Sequence, residues 1–365
     1  MQQVLGDDSD VDNINPPAEL SERFFVILNN DTPRWIIPEN SQLGRRVLAQ
    51  WRPYKLTSQV KWSAVRLLYS LNLISKLPGV IIYINEMRHR VKIPNEKIGA
   101  VPVIYVGTPG NQQKAVVTLV NPVTGMPMAV MKVALGISSS TSLVNEAKTL
   151  QRLNNAGVKN IPKLLSSELK PDRTWQTVIS GQLSSRRLTA NHIDWLLKLP
   201  KPGKTTSFDN QRKALVTHIT NTQNEIHVQH FQIIFQAVNN IQGQHNVPLI
   251  TVHGDFAPWN IKQTPDELAI IDWEDAEMEG LPLWDLCHFH FIQAHLFSDN
   301  NKIKSLYSDP LITRYLEGIG LHRRDHRILV LLYLLFKVIT KNGNTSDDYK
   351  DFLIKQISTL CEHWN

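Results

Sequence analysis

The chain of 365 residues contains only two cysteines, Cys287 and Cys361. Two thiols cannot build a disulfide framework or a four-thiolate zinc site, and their scarcity fits a reducing compartment, so a cytoplasmic location is expected. Long apolar runs are missing as well. The nearest, Ile328–Phe336, is stopped by Lys337 and falls well short of the ~20 residues needed to cross a bilayer. It reads as a buried C-terminal helix. Residues 1–20 are acidic and lack an apolar stretch, which argues against a signal peptide and for a disordered tail. There is no internal repeat, no low-complexity tract and no G-x-G-x-x-G loop.

What is present is an ordinary globular composition, 42% hydrophobic and 20% charged, on a chain long enough for two or three structural units. The formal net charge is +6, which favours anionic partners such as nucleotides, phosphorylated substrates or acidic membrane surfaces. Nucleic-acid binding would need basic residues interleaved with aromatics on one surface, an arrangement that a sequence cannot display, and that partner is not expected.

Residues 21–99 form an extension. FFVILNNDTPRWIIP reads as two strands around an Asn-Asp turn, a helix capped by Thr57 or Ser58 runs to about Ile74, and VIIYI at 80–84 is a strand. This segment is basic and aromatic, with Arg45, Arg46, Trp51, Arg52, Lys55, Lys61, Trp62 and Arg66. Peripheral membrane or partner contact is one reading of its helix; an ordinary amphipathic helix is the other. From residue 100 to 183 the pattern becomes a small antiparallel sheet with one helix. Strands lie at 101–106, 114–120 and 128–135, a helix runs from a cap near Thr141 or Ser142 to Gly157, and strands follow near 163–169 and 174–180. Residues 184–365 are mainly helical, with a long pattern over 208–241 and helices near 283–297, 309–318, 325–340 and 346–363.

Inside that helical part stands HGDFAPWNIKQTPDELAIIDWEDA, His253–Ala276, with many ligand-type side chains between apolar runs. A four-residue turn, Thr264 to Glu267, joins strands Trp259–Gln263 and Leu268–Asp272. Pairing Gln263 with Leu268 puts Asn260 and Asp272 at the same end of the hairpin. An amide oxygen and a carboxylate converging there, completed by phosphate and water, suit Mg²⁺. Asp255, five residues before Asn260, can serve as a base that orients a hydroxyl, with His253 bracing the loop. Two anomalies in the earlier sheet point the same way. Lys132 lies amid apolar residues on the third strand of 100–183, and Glu146 interrupts the apolar stripe Leu143, Leu150, Leu153 of the next helix. One ion pair resolves both.

The spacing H-x-D-x-x-x-x-N followed by an Asp is that of the protein-kinase catalytic loop. The wording HGDFAPWN, then IIDWEDA, resembles the aminoglycoside phosphotransferase and choline kinase-like family more closely. That resemblance implies an α+β, two-lobed protein kinase-like fold, ATP bound between the lobes, and Mg²⁺ on Asn260 and Asp272. It implies Lys132, fixed by Glu146, on the ATP phosphates, Asp255 as the catalytic group and Asp285 of LPLWDL as a structural acid supporting the loop. The phosphate-covering loop falls on GTPGNQQ with Gly107 and Gly110, and the adenine hinge near Ser180–Leu183. Acceptors in the family are small-molecule hydroxyls, including aminoglycosides, choline and sugars; an extension like 21–99 suggests, by analogy, a sugar or sugar-lipid in surface polysaccharide metabolism. The alternative is a non-catalytic kinase-like nucleotide-binding or scaffold protein, against which the joint retention of Lys132, Glu146, Asp255, Asn260 and Asp272 argues. A metal-dependent hydrolase built on His253 and Asp255 would need more ligands nearby. CHFHFIQAH, with His288, His290 and His295, lacks metal spacing and reads as helix polar positions or substrate-lobe lining.

Overall fold

The computed structural model describes residues 21–29, 32–39, 45, 48, 56–71, 73, 80–85, 100–166, 170–222, 228–265, 267–339, 346–362 and 364. The expected tail at 1–20 lies outside them. The chain forms two compact units: the first runs up to Leu183 and includes Lys262–Glu274, the second comprises Ser184–Ile261 and Asp275–Asn365.

The first unit is built on strands β1 (Ser21–Asn29), β2 (Thr32–Pro38), β3 (Val80–Asn85), β4 (Val101–Val106), β5 (Lys114–Val120), β6 (Pro127–Ala134) and β7 (Arg173–Thr177). They make one antiparallel sheet in the order β3-β1-β2-β4-β5-β6-β7. The alternation read in the sequence sets its faces: in β5, Ala115, Val117 and Leu119 are buried while Lys114, Val116 and Thr118 are half-buried. The NPVTGMP turn closes on Asn121, whose Oδ1 accepts from the amides of Val123 and Thr124, both at 2.9 Å. The extension's strands are therefore part of this sheet, β2 pairing with β4 through Trp35–Tyr105 and Ile36–Ile104. Helix α1 (Leu56–Ser70) packs on it through Trp62 and Tyr69.

Helix α2 (Ser139–Asn155) begins before the expected cap at Thr141 or Ser142. Ser139 moves the start: its Oγ donates to the Gly136 carbonyl at 2.6 Å and accepts from the Gly136 amide at 3.0 Å. Gly157, at φ +77°, ends the helix as expected. The strand expected at 163–169 is reduced, among its described residues, to a single bridge between Leu164 and Gln176. Residues 163–166 include no β-branched side chain to favour a strand. A short strand β8 (Gln182–Leu183), absent from the sequence reading, follows.

The second unit starts with helix α3 (Ala190–Leu197), strand β9 (Thr205–Ser207), and helices α4 (Phe208–Thr222) and α5 (Val228–Asn239). The single helical pattern expected over 208–241 is thus two helices. Strands β10 (Asn246–Pro248) and β11 (Ile250–Val252) lead into the HGD loop and a 3-10 turn at Pro258–Asn260. Strands β12 (Ile261–Gln263) and β13 (Leu268–Ile270) form the hairpin, and residues 262–274 pack with the first unit, where β12 pairs with β8. The second unit resumes with β14 (Glu277–Gly280), paired to β11, and helices α6 (Trp284–Phe297), α7 (Asn301–Ser308), α8 (Pro310–Gly318), α9 (His326–Ile339) and α10 (Asp347–Glu362). The apolar run at 328–336 lies within α9 and is buried on most of its circumference, as its composition required. Among the described residues no helix is long and apolar enough to cross a membrane.

Candidate active site

In the first unit, β6 holds Lys132 in mid-sheet, opposite Val116 of β5 and Thr174 of β7. A lysine there must find anions or lose its charge. Its Nζ donates to Glu146 Oε1 and to Asp272 Oδ1, each at 2.6 Å. Burial alone would lower the lysine pKa; Asp272 and Glu146 outweigh it and hold the ammonium above its ordinary value. Glu146 is fully buried, and its Oε1 also accepts from the Trp273 amide at 3.2 Å. The neighbouring Asn145 donates to the Glu274 carbonyl at 2.8 Å, and Lys114 pairs with the Glu274 carboxylate. Two adjacent residues of α2 therefore clamp residues 273 and 274, while Lys132 of β6 holds Asp272 just before them.

Asp272 sits at φ +70°, a left-handed conformation that costs a non-glycine residue about 1–3 kcal/mol. Lys132, the Trp273 amide bond to Glu146 and the Asn145 bond hold it there. Two carboxylates face one ammonium, which leaves the cluster net negative, and about a third of the Asp272 side chain (32%) remains exposed. A partly exposed hard-oxygen donor in a negative cluster fits a divalent cation.

The second unit holds the HGD loop by a different device. Asp285, in the first turn of α6, accepts from the amides of His253 (Oδ2, 2.9 Å) and Gly254 (Oδ1, 2.9 Å). Burial raises its pKa, against the pull of the two amides and of His253. Gly254 has no alternative here: φ is +82°, and a Cβ would lie 2.1 Å from the Asp275 carbonyl oxygen. The carbonyl of Gly254 accepts from Lys337 of α9 at 3.1 Å. So held, the loop presents Asp255, whose amide donates to His253 Nδ1 at 3.3 Å. The His253 ring thereby ties residues 253 and 255 of the loop together. Asp255 Oδ2 accepts from Asn260 Nδ2 at 2.8 Å, and that same nitrogen reaches the Asp255 carbonyl at 3.0 Å. Both bonds use the amide nitrogen, which leaves Oδ1 as the Asn260 atom with the chemistry of a hard-cation ligand. An oxygen donor there fits Mg²⁺ as well.

Asp255 Oδ1 lies 2.7 Å from His288 Nε2, and His288 Nδ1 lies 3.0 Å from the Tyr333 hydroxyl. The sequence reading assigned His288 to helix polar positions or lobe lining; it is instead the direct partner of Asp255. The signal was available in its spacing. Asp285 and His288 are one helical turn apart, so a helix whose Asp grips residues 253 and 254 brings its i+3 residue to the same loop. Asn145 and Lys114 were also missed, and no local pattern marks them.

Gly107 and Gly110 lie in the β4–β5 turn. A Cβ on Gly107 would meet the Lys114 carbonyl oxygen at 2.9 Å, and Gly110 has φ +146°. This turn bonds to the start of α2, with the Ser138 amide donating to the Asn111 carbonyl at 2.9 Å and Ser142 Oγ to Gln112 at 3.0 Å. At the expected hinge, Gly181 approaches Gln263, and Lys262 Nζ donates to the Ile179 carbonyl at 2.6 Å. Burial lowers the Lys262 pKa.

Comparison with solved structures returns kinase-like enzymes. A thermostable mutant of an aminoglycoside phosphotransferase in its apo form is 16% identical, with a TM-score of 0.49 over 71% of this chain and 94% of that one. Choline kinase from Cryptosporidium parvum Iowa II is 12% identical, with a TM-score of 0.48 over 72% and 88%. A choline/ethanolamine kinase family protein from Mesorhizobium loti is 18% identical, with a TM-score of 0.45 over 71% and 88%. No curated protein sequence matches the chain. The sequence profile of the phosphotransferase enzyme family, by contrast, matches residues 109–320, a span that runs from the β4–β5 turn through Lys132, Glu146, Asp255, Asn260 and Asp272 to the end of α8. That span is more than half of the 365 residues, and the chain belongs to the phosphotransferase enzyme family.

Proposed function

We propose that the protein transfers the γ-phosphoryl group of ATP to a hydroxyl group of a small molecule, with Mg²⁺ held by Asn260 and Asp272. The observation that carries this reading is Lys132, a buried ammonium kept charged by Glu146 and Asp272. A lysine fixed in this way is a positive point aimed for phosphate, and its anchoring requires no reorganisation when charge develops. Asp255 accepts the hydrogen bond of the acceptor hydroxyl and takes its proton as the oxygen bonds to phosphorus and ADP leaves. Its two oxygens are already gripped by His288 and Asn260, so its role is orientation of the nucleophile more than strong basicity. The metal, when bound, neutralises charge on the β- and γ-phosphates. Gly107 and Gly110 allow the β4–β5 backbone to approach phosphate, and residues 180–183 are the adenine hinge. Sugar hydroxyls, free or lipid-linked, are the acceptors to screen first.

The second reading, a non-catalytic nucleotide-binding scaffold, predicts binding without turnover. The two separate on one experiment. Melting temperature is measured with ATP, Mg²⁺ or both, and slow ADP release to water is followed in parallel. A Mg²⁺-dependent rise that disappears in Asp272→Ala, with ADP release abolished in Asp255→Asn, is the expected outcome. Binding with no ADP release in the wild type, or with release unaffected by Asp255→Asn, sinks the catalytic assignment in favour of the scaffold.

A further inference from the structure

Helix α1 carries two apolar faces, and the fold uses one. Trp62 and Tyr69 are buried against the sheet: the Trp62 ring lies 5.3 Å from that of Trp35, and the Tyr69 hydroxyl donates to the Pro38 carbonyl at 2.9 Å. The second face is made of Val60, Ala64, Leu67 and Leu71, at i, i+4, i+7 and i+11, which is a straight stripe along a helix. It is exposed, Val60 at 71%, Leu67 at 59% and Leu71 at 56%. Lys61 and Arg66, both exposed, lie on opposite sides of the stripe.

The sequence that contains this helix is one-sided in charge. Between residues 40 and 79 stand Arg45, Arg46, Arg52, Lys55, Lys61, Arg66 and Lys76, and no Asp or Glu. The whole chain has a formal net charge of +6, so this segment supplies all of the excess and the remainder is close to neutral. A basic stretch with an apolar stripe between cations is the chemistry of a helix lying in an anionic lipid surface: the apolar side chains enter the acyl boundary while Lys and Arg extend to headgroup phosphates. At 15 residues α1 is too short to span. A second copy of the chain is disfavoured as occupant, because a two-fold contact would set the same cationic segments against each other.

We propose that the exposed stripe of α1, with its flanking cations, docks the protein peripherally on an anionic bilayer surface. This stands independently of the phosphotransfer reading. The test is co-sedimentation of the full chain with vesicles of phosphatidylcholine alone and of equal parts phosphatidylcholine and phosphatidylglycerol. The expected result is binding to the anionic vesicles only, reversed by high salt. Lys61→Glu/Arg66→Glu should weaken it by at least about tenfold, since each basic residue near such a surface contributes ~1 kcal/mol. Leu67→Ser/Leu71→Ser should also weaken it, and both variants should melt with the wild type because the replaced side chains are exposed. Wild type that stays in solution with anionic vesicles overturns the proposal. So does binding of both variants as tight as that of the wild type, or a solution dimer that Leu67→Ser/Leu71→Ser dissociates, which would assign the stripe to self-association.

Discussion

Two aspartates, Asp272 in the first unit and Asp255 in the second, are held in opposite ways. Asp272 is fixed by charge: a buried ammonium at 2.6 Å, itself locked by a second carboxylate, keeps a residue in a left-handed conformation it would otherwise avoid. Asp255 is fixed by hydrogen bonds from a histidine, an amide side chain and a loop whose amides are gripped by Asp285. The first arrangement suits a group that must keep its charge in contact with other charges. The second suits a group that must hold a direction while a proton passes. A salt network tolerates little substitution, because removing one member strands the others; a hydrogen-bonded network can be trimmed one bond at a time.

The difference is sharpest under pH. Three histidines of the second unit, His192, His290 and His326, are buried, and desolvation lowers each pKa from 6.5 to about 4. Their folded values lie below the unfolded one, so the native state binds fewer protons. Stability is full above about pH 6.5 and declines as pH falls towards about 4, each histidine contributing on the order of 1–3 kcal/mol. Lys132 has the opposite sign: its raised pKa supplies stability that is complete below the unfolded lysine value and is lost only in strong alkali. Urea denaturation between pH 7 and 4 should therefore lower the transition midpoint of the second unit most. A midpoint that does not move across that range would falsify the account of these histidines.

Next in size is Lys132→Met. It leaves Glu146 buried and Asp272 without its cation, and should cost about 3–5 kcal/mol. Adding Glu146→Gln should recover part of the loss. Denaturation of the single and double variants checks this, and a double variant no more stable than the single would mean that the pair is not the unit of stability. The smallest effect is expected at His288. His288→Gln keeps a donor towards Asp255 but loses the Tyr333 connection. It should lower turnover about tenfold with KM for ATP little changed and a flattened pH profile, and His288→Ala should be worse. Equal damage by Gln and Ala, with no change of pH profile, would reduce His288 to packing.

The sequence made the chemistry-bearing residues readable because their anomalies were local. A charged residue in an apolar strand, a carboxylate in an apolar helix stripe and a run of ligand-type side chains in a hairpin each break a periodicity. Their partners were less readable. Lys132 and Asp272 are 140 residues apart, and nothing in either segment alone specifies the other. Asn145 is one polar residue among many on α2 until Glu274 is beside it. The start of α2 was missed for a different reason: Ser138, Ser139, Ser140, Thr141 and Ser142 all have capping chemistry, and the choice among them falls to local bonds between Ser139 and Gly136, three residues upstream, that residue type alone does not single out.

The sheet order has a practical consequence for anyone who trims this chain. The family match begins at residue 109, which invites a cut just ahead of it or ahead of β4. Yet β4 is an interior strand, bonded to β5 on one side and to β2 on the other. Removing the first hundred residues would turn it into a naked edge with buried Val103 and Ile104 beside unpaired backbone groups, a surface to which other chains adhere. The N-terminal strands are, in that sense, the protein's own guard against aggregation, and an active fragment should begin before Ser21.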